Sequence, residues 1–390
     1  MQPEVIVGAE LEAAQQLIPN IADRAREIES ARRVPADIVK CLVDEGLVDM
    51  AVPMAYGGRA SDPLDIVKVI EAISYADGST GWCLMNYQTS ALVSAFLPQT
   101  WGEAIFGANE RCVPAGVLAP TARGRFVDGG IVVNGRWRFG SGCDNANWLL
   151  GTALMVNDDG KPQTKADGSP EILWPMFSMD QISILDTWYV SGLCGSGSHD
   201  LEVTDAFVPE GRWLTSLADP AVIDEPLFRF PILSLFPPTV VAVPLGIARA
   251  ALDSFLALAR DKVPHGAAAP LAQRSSAQID AARAEALIEG ARGYVYETTD
   301  SLWKLVQRGQ DVTSDARRRV RLAACHACEA TAQAVNLLYR AGGGSAIFDD
   351  NPLQRHFRDI HATTQHIQIS HGNFETMGRL RLTGRLDLPY

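Results

Sequence analysis

Four histidines near the end of the chain are the first candidates for chemistry. His356, His361, His366 and His371 recur at intervals of five residues. Five steps of an α-helix turn about 500°, so neighbouring members lie about 140° apart around the axis and do not share a face. Two metal ligands on one helix usually stand four residues apart, so this spacing predicts no metal site. At most one or two rings should face a pocket, where an imidazole that titrates near neutral pH could act as an acid or base.

Glycine-rich segments offer a second kind of site. Phe139-Gly140-Ser141-Gly142 could bring a hydroxyl and the backbone close to a planar ligand, although a turn or bulge explains it as well. Gly342-Gly343-Gly344 follows a long helical pattern, where a helix cap and a close approach to a cofactor are both open. Gly195-Ser196-Gly197 lacks the lysine and the following helix of a phosphate-binding loop.

Three kinds of segment follow one another and must position these residues. The first part has helical periodicity, the middle has short β-branched runs separated by turn residues, and the last part is rich in strong helix formers. This order predicts a mainly α protein with a central β domain, divided into residues 1–110, 111–228 and 229–390. It excludes a Rossmann fold, which alternates strands and helices from its beginning.

Individual elements follow from periodicity and from turn residues. The predicted helices are Leu11–Arg33, Pro35–Glu45, Pro63–Asp77, Thr80–Phe96, Val243–Lys262, Ser276–Arg308, Thr313–Arg340 and Pro352–Gly384. The predicted strands include Trp148–Val156, Glu171–Ser178 and Leu201–Val208, with an exposed loop at Asn157–Pro170. Ile131–Phe139 is predicted to be a hairpin, because Asn134-Gly135 is typical of a tight turn. The long Ala-rich helices indicate a bundle that also packs against another subunit.

Composition restricts the partners and the compartment. The chain has 390 residues, 47% of them hydrophobic, and a net charge of -12, which argues against nucleic acid or an anionic membrane as the main partner. Seven cysteines are typical of a reducing cytoplasm, and Cys325 and Cys328 lack the second pair of a zinc site. The N-terminus has no basic signal-peptide pattern, and no run of about 18 apolar residues occurs. We therefore expect a cytoplasmic protein without a membrane span.

Several short motifs occur together in the order and spacing of one known superfamily. They are Val52–Gly58, Gly135–Gly142, Ser191–Asp200, Val208-Pro209, Gly342–Gly344 and Arg358-Asp359. Through them, residues 10–384 resemble the acyl-CoA dehydrogenase superfamily. The resemblance implies an N-terminal helical domain, a middle β-barrel or sandwich, and a C-terminal four-helix bundle.

The C-terminal motif distinguishes two branches of this superfamily. Acyl-CoA dehydrogenases typically carry a catalytic glutamate about eight residues after the Arg-Asp pair, where this chain has Ile367, and the next acid is Glu375. Arg358–His366 instead resembles the two-component flavin-dependent monooxygenases, which have a histidine seven residues after the aspartate. That branch implies an oxygenase that hydroxylates its substrate with reduced flavin (FMNH2 or FADH2) and O2 through a flavin C4a-hydroperoxide. It also implies a separate NAD(P)H-flavin reductase and a homotetramer.

The resemblance also implies roles for single residues. His366 would be the acid or base, and Phe139 would line the flavin ring system. Ser141 would hydrogen-bond the flavin, since the serine of that branch lies near flavin N5. Arg260 would bind the flavin phosphate, of its own or of a neighbouring subunit. Gly343-Gly344 would let the backbone approach the flavin closely.

The substrate is expected to be small and aromatic or heteroaromatic. Phenol hydroxylases of this group often have a substrate-binding histidine shortly after the tryptophan that corresponds to Trp82, and this chain has none there, which argues against a simple phenol. Trp82, Asn86 and Tyr87 could contact substrate, although helix packing explains them as well. Two other functions remain open, namely an acyl-CoA dehydrogenase-type FAD oxidoreductase with its base elsewhere, and a non-catalytic flavin-binding relative.

Overall fold

The first block of the chain is helical. The structure is a computed structural model that describes residues 8–217 and 219–384. Within those residues the first block has six α-helices: α1 (Ala9–Asp23), α2 (Ala25–Ala31), α3 (Ala36–Asp44), α4 (Pro63–Ala76), α5 (Gly78–Ala91) and α6 (Gln99–Phe106). The predicted helix Leu11–Arg33 is interrupted at Arg24, whose backbone angles (φ -100°, ψ 6°) leave the helical region. The predicted helix Thr80–Phe96 ends as the 3₁₀ turn Leu92–Phe96.

The middle block is a mixed β-sheet. Its strands are β1 (Pro114–Gly116), β2 (Ala122–Val127), β3 (Gly130–Gly140), β4 (Trp148–Leu150), β5 (Ala153–Met155), β6 (Ile172–Ser178), β7 (Ser183–Leu185), β8 (His199–Pro209) and β9 (Trp213–Leu214). Over the described residues they form one sheet in the order β1-β4-β6-β5-β2-β3-β8-β7, with β9 paired to β6. The β1–β4 and β2–β5 pairs are parallel. The long strand β3 therefore lies inside the sheet, between β2 and β8.

The tight turn predicted at Asn134-Gly135 is wrong. β3 continues through both residues, and its register with β8 shifts there. The Asn134 amide donates to Asp205 Oδ1 at 2.9 Å, and the Asp205 backbone N–H donates to Asn134 Oδ1 at 2.8 Å. Gly135 has a φ of 153°, and a Cβ there would lie 2.5 Å from Ala122 Cα. The dipeptide therefore forms a β-bulge, and the β2–β3 turn lies at Asp128-Gly129.

The last block is a helical bundle. Its helices are α7 (Pro226–Arg229), α8 (Ile232–Asp261), α9 (Ser275–Gln307), α10 (Ser314–Gly342), α11 (Pro352–Thr363) and α12 (Gly372–Thr383). α8 begins at Ile232, before the predicted start at Val243. The early part of the helix is hard to recognise in the sequence because Pro237, Pro238 and Pro244 are residues that usually end a helix. The predicted single helix Pro352–Gly384 is broken between α11 and α12 by the 3₁₀ turn Ile367–Ile369. The predicted division into three domains stays a prediction.

The central helix of the bundle is α8. It is the one helix among the described residues that is long and apolar enough to cross a membrane. However, 67% of its most apolar window is buried inside the protein, where α4, α9, α10 and α11 pack against it. Core packing therefore accounts for its apolar length.

Glu71 links three helices through a buried carboxylate. The residue lies in α4 and is 1% exposed. Its carboxylate accepts hydrogen bonds from Arg249 of α8 at 2.7 Å, from Arg292 of α9 at 2.9 Å and from the Tyr296 hydroxyl at 2.6 Å. A carboxylate removed from water needs such compensation. The cluster therefore fixes the N-terminal block against the bundle.

We expect Glu71→Ala to lower the free energy of unfolding by about 3–5 kcal/mol, because it leaves two half-buried guanidinium groups without their counter-ion. Denaturant unfolding followed by circular dichroism measures this loss. The control is Glu297→Ala, which removes a surface ion pair with Arg319 at 3.0 Å and should cost less than about 1 kcal/mol. Equal effects of the two variants would contradict the assignment.

Candidate active site

Ser141 follows a strained residue at the end of β3. Phe139 has a φ of 68°, a left-handed conformation that non-glycine residues rarely adopt, and its carbonyl accepts the Ser141 N–H at 2.9 Å. Such strain is often found at functional sites. In this conformation the Phe139 side chain is 64% exposed and its ring stands edge-on to Trp188. Ser141, by contrast, is 3% exposed.

Trp82 of α5 connects Ser141 with His366. Its indole Nε1–H donates to Ser141 Oγ at 3.0 Å. Its ring meets the His366 imidazole in a T-shaped arrangement with 5.5 Å between the ring centroids. α5 begins one turn earlier, where the Asp77 carboxylate caps the helix by accepting the Thr80 N–H at 2.8 Å. The end of β3, the first turns of α5 and the break after α11 thus meet at one place.

His366 lies in the break between α11 and α12. Its Nδ1 accepts the Gln368 backbone N–H at 3.3 Å, so the neutral ring carries its proton on Nε2. The side chain keeps partial exposure. Dense packing around the ring nevertheless lowers the pKa of His366 to about 4, because it removes water from the charged form. The expectation that this imidazole titrates near neutral pH is therefore wrong, and the ring is neutral at that pH.

The Arg358-Asp359 motif anchors the loop that follows β7. The Asp359 carboxylate accepts the Leu193 N–H at 2.6 Å, and the Arg358 guanidinium donates to the Ser191 carbonyl at 2.7 Å. A Cβ on Gly192 would lie 2.1 Å from the Arg358 carbonyl oxygen, so only glycine allows this approach. Burial, and secondarily the nearby Asp77, raise the pKa of Asp359 to about 7.

The other C-terminal histidines are separated from this site. Each bonds a different residue: His356 to Ser254 at 3.4 Å, His361 to Asn336 at 2.9 Å, and His371 to Glu329 at 3.0 Å. Within residues 8–217 and 219–384, no group of three or more His, Cys, Asp or Glu side chains could hold a metal ion. His366 is thus the member of this histidine series that reaches Trp82.

Asn86 and Tyr87 hold the sheet in place. Tyr87 is fully buried and its hydroxyl donates to the Gly142 carbonyl at 2.9 Å. The Asn86 side chain exchanges two hydrogen bonds with the Gly116 backbone, at 2.8 Å and 3.2 Å. Their polar atoms are used inside the protein. These bonds agree with the packing role that the sequence left open for both residues, and their contact with substrate stays a prediction.

Arg260 and Gly343-Gly344 form a second group at the far end of the bundle. Arg260 is exposed near the end of α8, and Lys262 donates to the Gly342 carbonyl at 2.6 Å, which brings the ends of α8 and α10 together. Ile247 packs beside the first residue of α5. Arg260 follows it by 13 residues, which is about 20 Å along a helix. About 20 Å of helix thus separates Arg260 from the residue that packs against the start of α5, and the flavin-phosphate role of this group stays a prediction.

The Ser141 site fits the flavin that the sequence resemblance implies. A planar ring system with a polar edge needs an apolar surface and a few polar contacts. Phe139 and Ile367, which are 64% and 77% exposed, are apolar side chains that lie two residues before Ser141 and directly after His366 in the sequence. Glu375, the next acid along the chain, pairs with Arg379 at the surface and does not replace the missing dehydrogenase glutamate.

Comparison with known proteins identifies the family. The acyl-CoA dehydrogenase N-terminal domain model matches residues 11–100, and the acyl-CoA dehydrogenase C-terminal domain model matches residues 239–371. An indole-3-acetate monooxygenase from Pseudomonas putida is 32% identical over 379 residues, which cover 97% of this chain and 95% of the relative. The chain belongs to the flavin-dependent monooxygenases of the acyl-CoA dehydrogenase superfamily.

Further relatives agree with this family. The oxygenase component of an FADH2-dependent resorcinol hydroxylase from Rhizobium sp. is 30% identical over 372 residues, covering 91% of this chain and 88% of the relative. The crystal structure of 3-HSA hydroxylase from Rhodococcus sp. RHA1 superposes with a TM-score of 0.89 at 26% identity, over 98% of both chains. The monooxygenase thus uses reduced flavin, and as an oxygenase component it depends on a separate flavin reductase.

Part of this candidate site could not be predicted from the sequence. Sequence reasoning left Trp82 open between substrate contact and helix packing, and did not foresee that the indole connects Ser141 with His366. It gave no role to Ser196 and Ser198, which lie next to Ser141 in space. Both serines belong to the motif Ser191–Asp200, which could have indicated that they matter. The sequence does not show that this motif packs against the end of β3.

We expect the His366 ring of the monooxygenase to stay neutral from pH 5 to pH 8, because its pKa is lowered to about 4. In the unfolded chain the His366 imidazole takes up its proton near pH 6.5, whereas in the folded protein it does so only near pH 4. The free energy of unfolding should therefore fall by up to about 3 kcal/mol as the pH falls from about 6.5 to about 4. NMR of the histidine ring nitrogens measures the titration, with His366→Gln to assign the signal and to remove this acid sensitivity. A midpoint near 6.5 would contradict the assignment.

Proposed function

We propose that this monooxygenase hydroxylates a small aromatic or heteroaromatic substrate, and that indole-3-acetate is the first compound to test. The observation that carries this proposal is the meeting of Trp82, Ser141 and His366 beside the exposed Phe139. Two similar proteins are named for aromatic substrates, indole-3-acetate and resorcinol. In the described part of the chain, the hydrogen bonds of Ser141 and His366 involve no carboxylate, which disfavours dehydrogenation of an acyl thioester.

The side chains have separate tasks in this proposal. The flavin supplies the oxygen-transfer chemistry when it is bound. Phe139 lines the flavin ring system, Ser141 hydrogen-bonds its polar edge, and apolar neighbours keep water out. His366 holds a proton on Nε2 and, in the neutral form, hydrogen-bonds the oxygen or the substrate near the ring. Trp82 keeps the serine and the histidine at a fixed separation.

The assembly and the compartment belong to the same proposal. We infer a homotetramer in which Arg260 and Gly343-Gly344 bind the phosphate end of a neighbouring subunit's flavin. In support, Ile347 and Phe348 next to these glycines are 64% and 61% exposed, which favours cover by another subunit. Free thiols at all seven cysteines, each of which lies in the described residues, are consistent with a reducing cytoplasm. An NAD(P)H-dependent reductase would supply FMNH2 or FADH2.

We expect product with one labelled oxygen atom when the protein, a generic NADH-flavin reductase, FMN or FAD and isotopically labelled O2 are mixed with indole-3-acetate or resorcinol. His366→Ala should lower the rate of product formation by about 100-fold or more, since the hydrogen bond that Nε2–H donates near the flavin is lost, while the affinity for reduced flavin stays within about twofold. Mass spectrometry and anaerobic flavin titration measure the two effects.

The matched control is His371→Ala, which removes an exposed histidine five residues later. It should turn over at the parent rate. Parent-rate turnover by His366→Ala would contradict the role of that residue. Bleaching of bound oxidised FAD by an acyl-CoA, with no oxygenated product from any aromatic compound, would contradict the proposed function.

A further inference from the structure

Three buried serines form a hydrogen-bond chain behind the site. The Trp82 indole donates to Ser141 Oγ at 3.0 Å, Ser141 Oγ and Ser198 Oγ lie 2.7 Å apart, and Ser198 Oγ and Ser196 Oγ lie 2.8 Å apart. Ser196 Oγ then donates to the Leu193 carbonyl at 2.8 Å. The three serines are 1–3% exposed, so water does not complete their bonds. The three hydroxyl groups therefore have to make their hydrogen bonds with one another and with the groups at the two ends of the hydrogen-bond chain.

The two ends fix the direction of this chain. An indole N–H can only donate and a carbonyl can only accept, while each hydroxyl has one proton. With Ser196 donating to Leu193, Ser198 must donate to Ser196, and Ser141 must donate to Ser198. The proton of Ser141 is then used inside the protein. Its remaining lone pair is the only hydrogen-bonding capacity that Ser141 can offer to a bound group.

The carbonyl end is held in position. Leu193 has a φ of 52°, and its N–H is bonded to the buried Asp359 carboxylate at 2.6 Å. Its carbonyl also accepts the Trp188 indole N–H and the Ser196 backbone N–H, both at 3.0 Å. The reverse direction would break the bond from the Ser196 hydroxyl to this carbonyl and would turn the Ser141 proton away from Ser198. The forward direction therefore keeps one more buried hydrogen bond.

We propose that Ser196 and Ser198 are positioning residues that make Ser141 a hydrogen-bond acceptor, so that the site selects reduced flavin over oxidised flavin. Reduced flavin carries a hydrogen on N5 and can donate to Ser141, whereas oxidised flavin has only a lone pair at N5 and would face a second lone pair. This inference rests on the proposed function, in which Ser141 hydrogen-bonds the flavin edge.

The test compares the affinities for the two oxidation states. Reduced and oxidised flavin, FMN or FAD according to which the parent binds more tightly, are titrated anaerobically into the full-length protein. Ser198→Ala leaves the Ser141 proton without its acceptor and free to turn to oxidised N5. We expect the preference for reduced flavin to fall about 3- to 10-fold. A tenfold fall lowers the midpoint potential of the bound flavin by about 30 mV.

Two further variants separate the chain from a simple packing effect. Ser196→Ala should reduce the preference in the same direction, because Ser198 is then free to donate to Ser141. The double variant should match Ser198→Ala, since both changes act through one chain. The control Ser94→Ala removes a buried hydroxyl that donates to the Ala91 carbonyl at 2.6 Å, and it should leave the preference unchanged.

The outcomes distinguish this inference from the proposed function. An unchanged preference in Ser198→Ala and Ser196→Ala, with flavin bound and product still formed, would overturn the role of the serine chain and leave the function standing. If circular dichroism shows that Ser198→Ala does not fold, the flavin preference of Ser196→Ala alone decides whether the serine chain has this role. A parent protein that binds neither oxidation state would overturn both.

Discussion

The structure depends most on one indole side chain that makes two contacts at once. The Trp82 N–H donates to Ser141, and the Trp82 ring packs edge to face with His366. The serine comes from the sheet and the histidine from the break between α11 and α12, so nothing local in sequence would keep them together. Because the Trp82 side chain is 8% exposed, it is held by its surroundings on α5. The spacing of the candidate site is therefore set by a helix of the first block.

The fold supplies three supports for this arrangement. The strained Phe139 turns the end of β3 so that its own ring is exposed while Ser141 is buried. Asp359 fixes Leu193, and with it the loop that carries the serines behind Ser141. The α11–α12 break lets His366 leave the helix, with its Nδ1 occupied by the following turn. In each case a polar group is held in one position by burial, since any other position would leave it without a hydrogen-bond partner, which costs free energy.

The architecture could be predicted from the sequence, because motif order and helix periodicity are strong signals. Ser141 and His366 were found as members of short motifs, and the structure brings them together through Trp82. The Asn134-Gly135 bulge was missed, since its cause is a cross-strand exchange of hydrogen bonds with Asp205. The low pKa of His366 was missed for a similar reason, as it arises from tertiary packing. Both features depend on contacts between segments that are distant in the sequence, and a local sequence pattern carries no information on such contacts.

The most direct measurement is a double-variant cycle on the affinity for reduced flavin, using Trp82→Phe and Ser141→Ala. Phenylalanine keeps an aromatic ring in α5 but removes the N–H that holds the serine. If the indole acts through Ser141, each single variant weakens binding, and the double variant binds no more weakly than Ser141→Ala alone. Losses that simply add would contradict the account, because the tryptophan and the serine would then contribute independently.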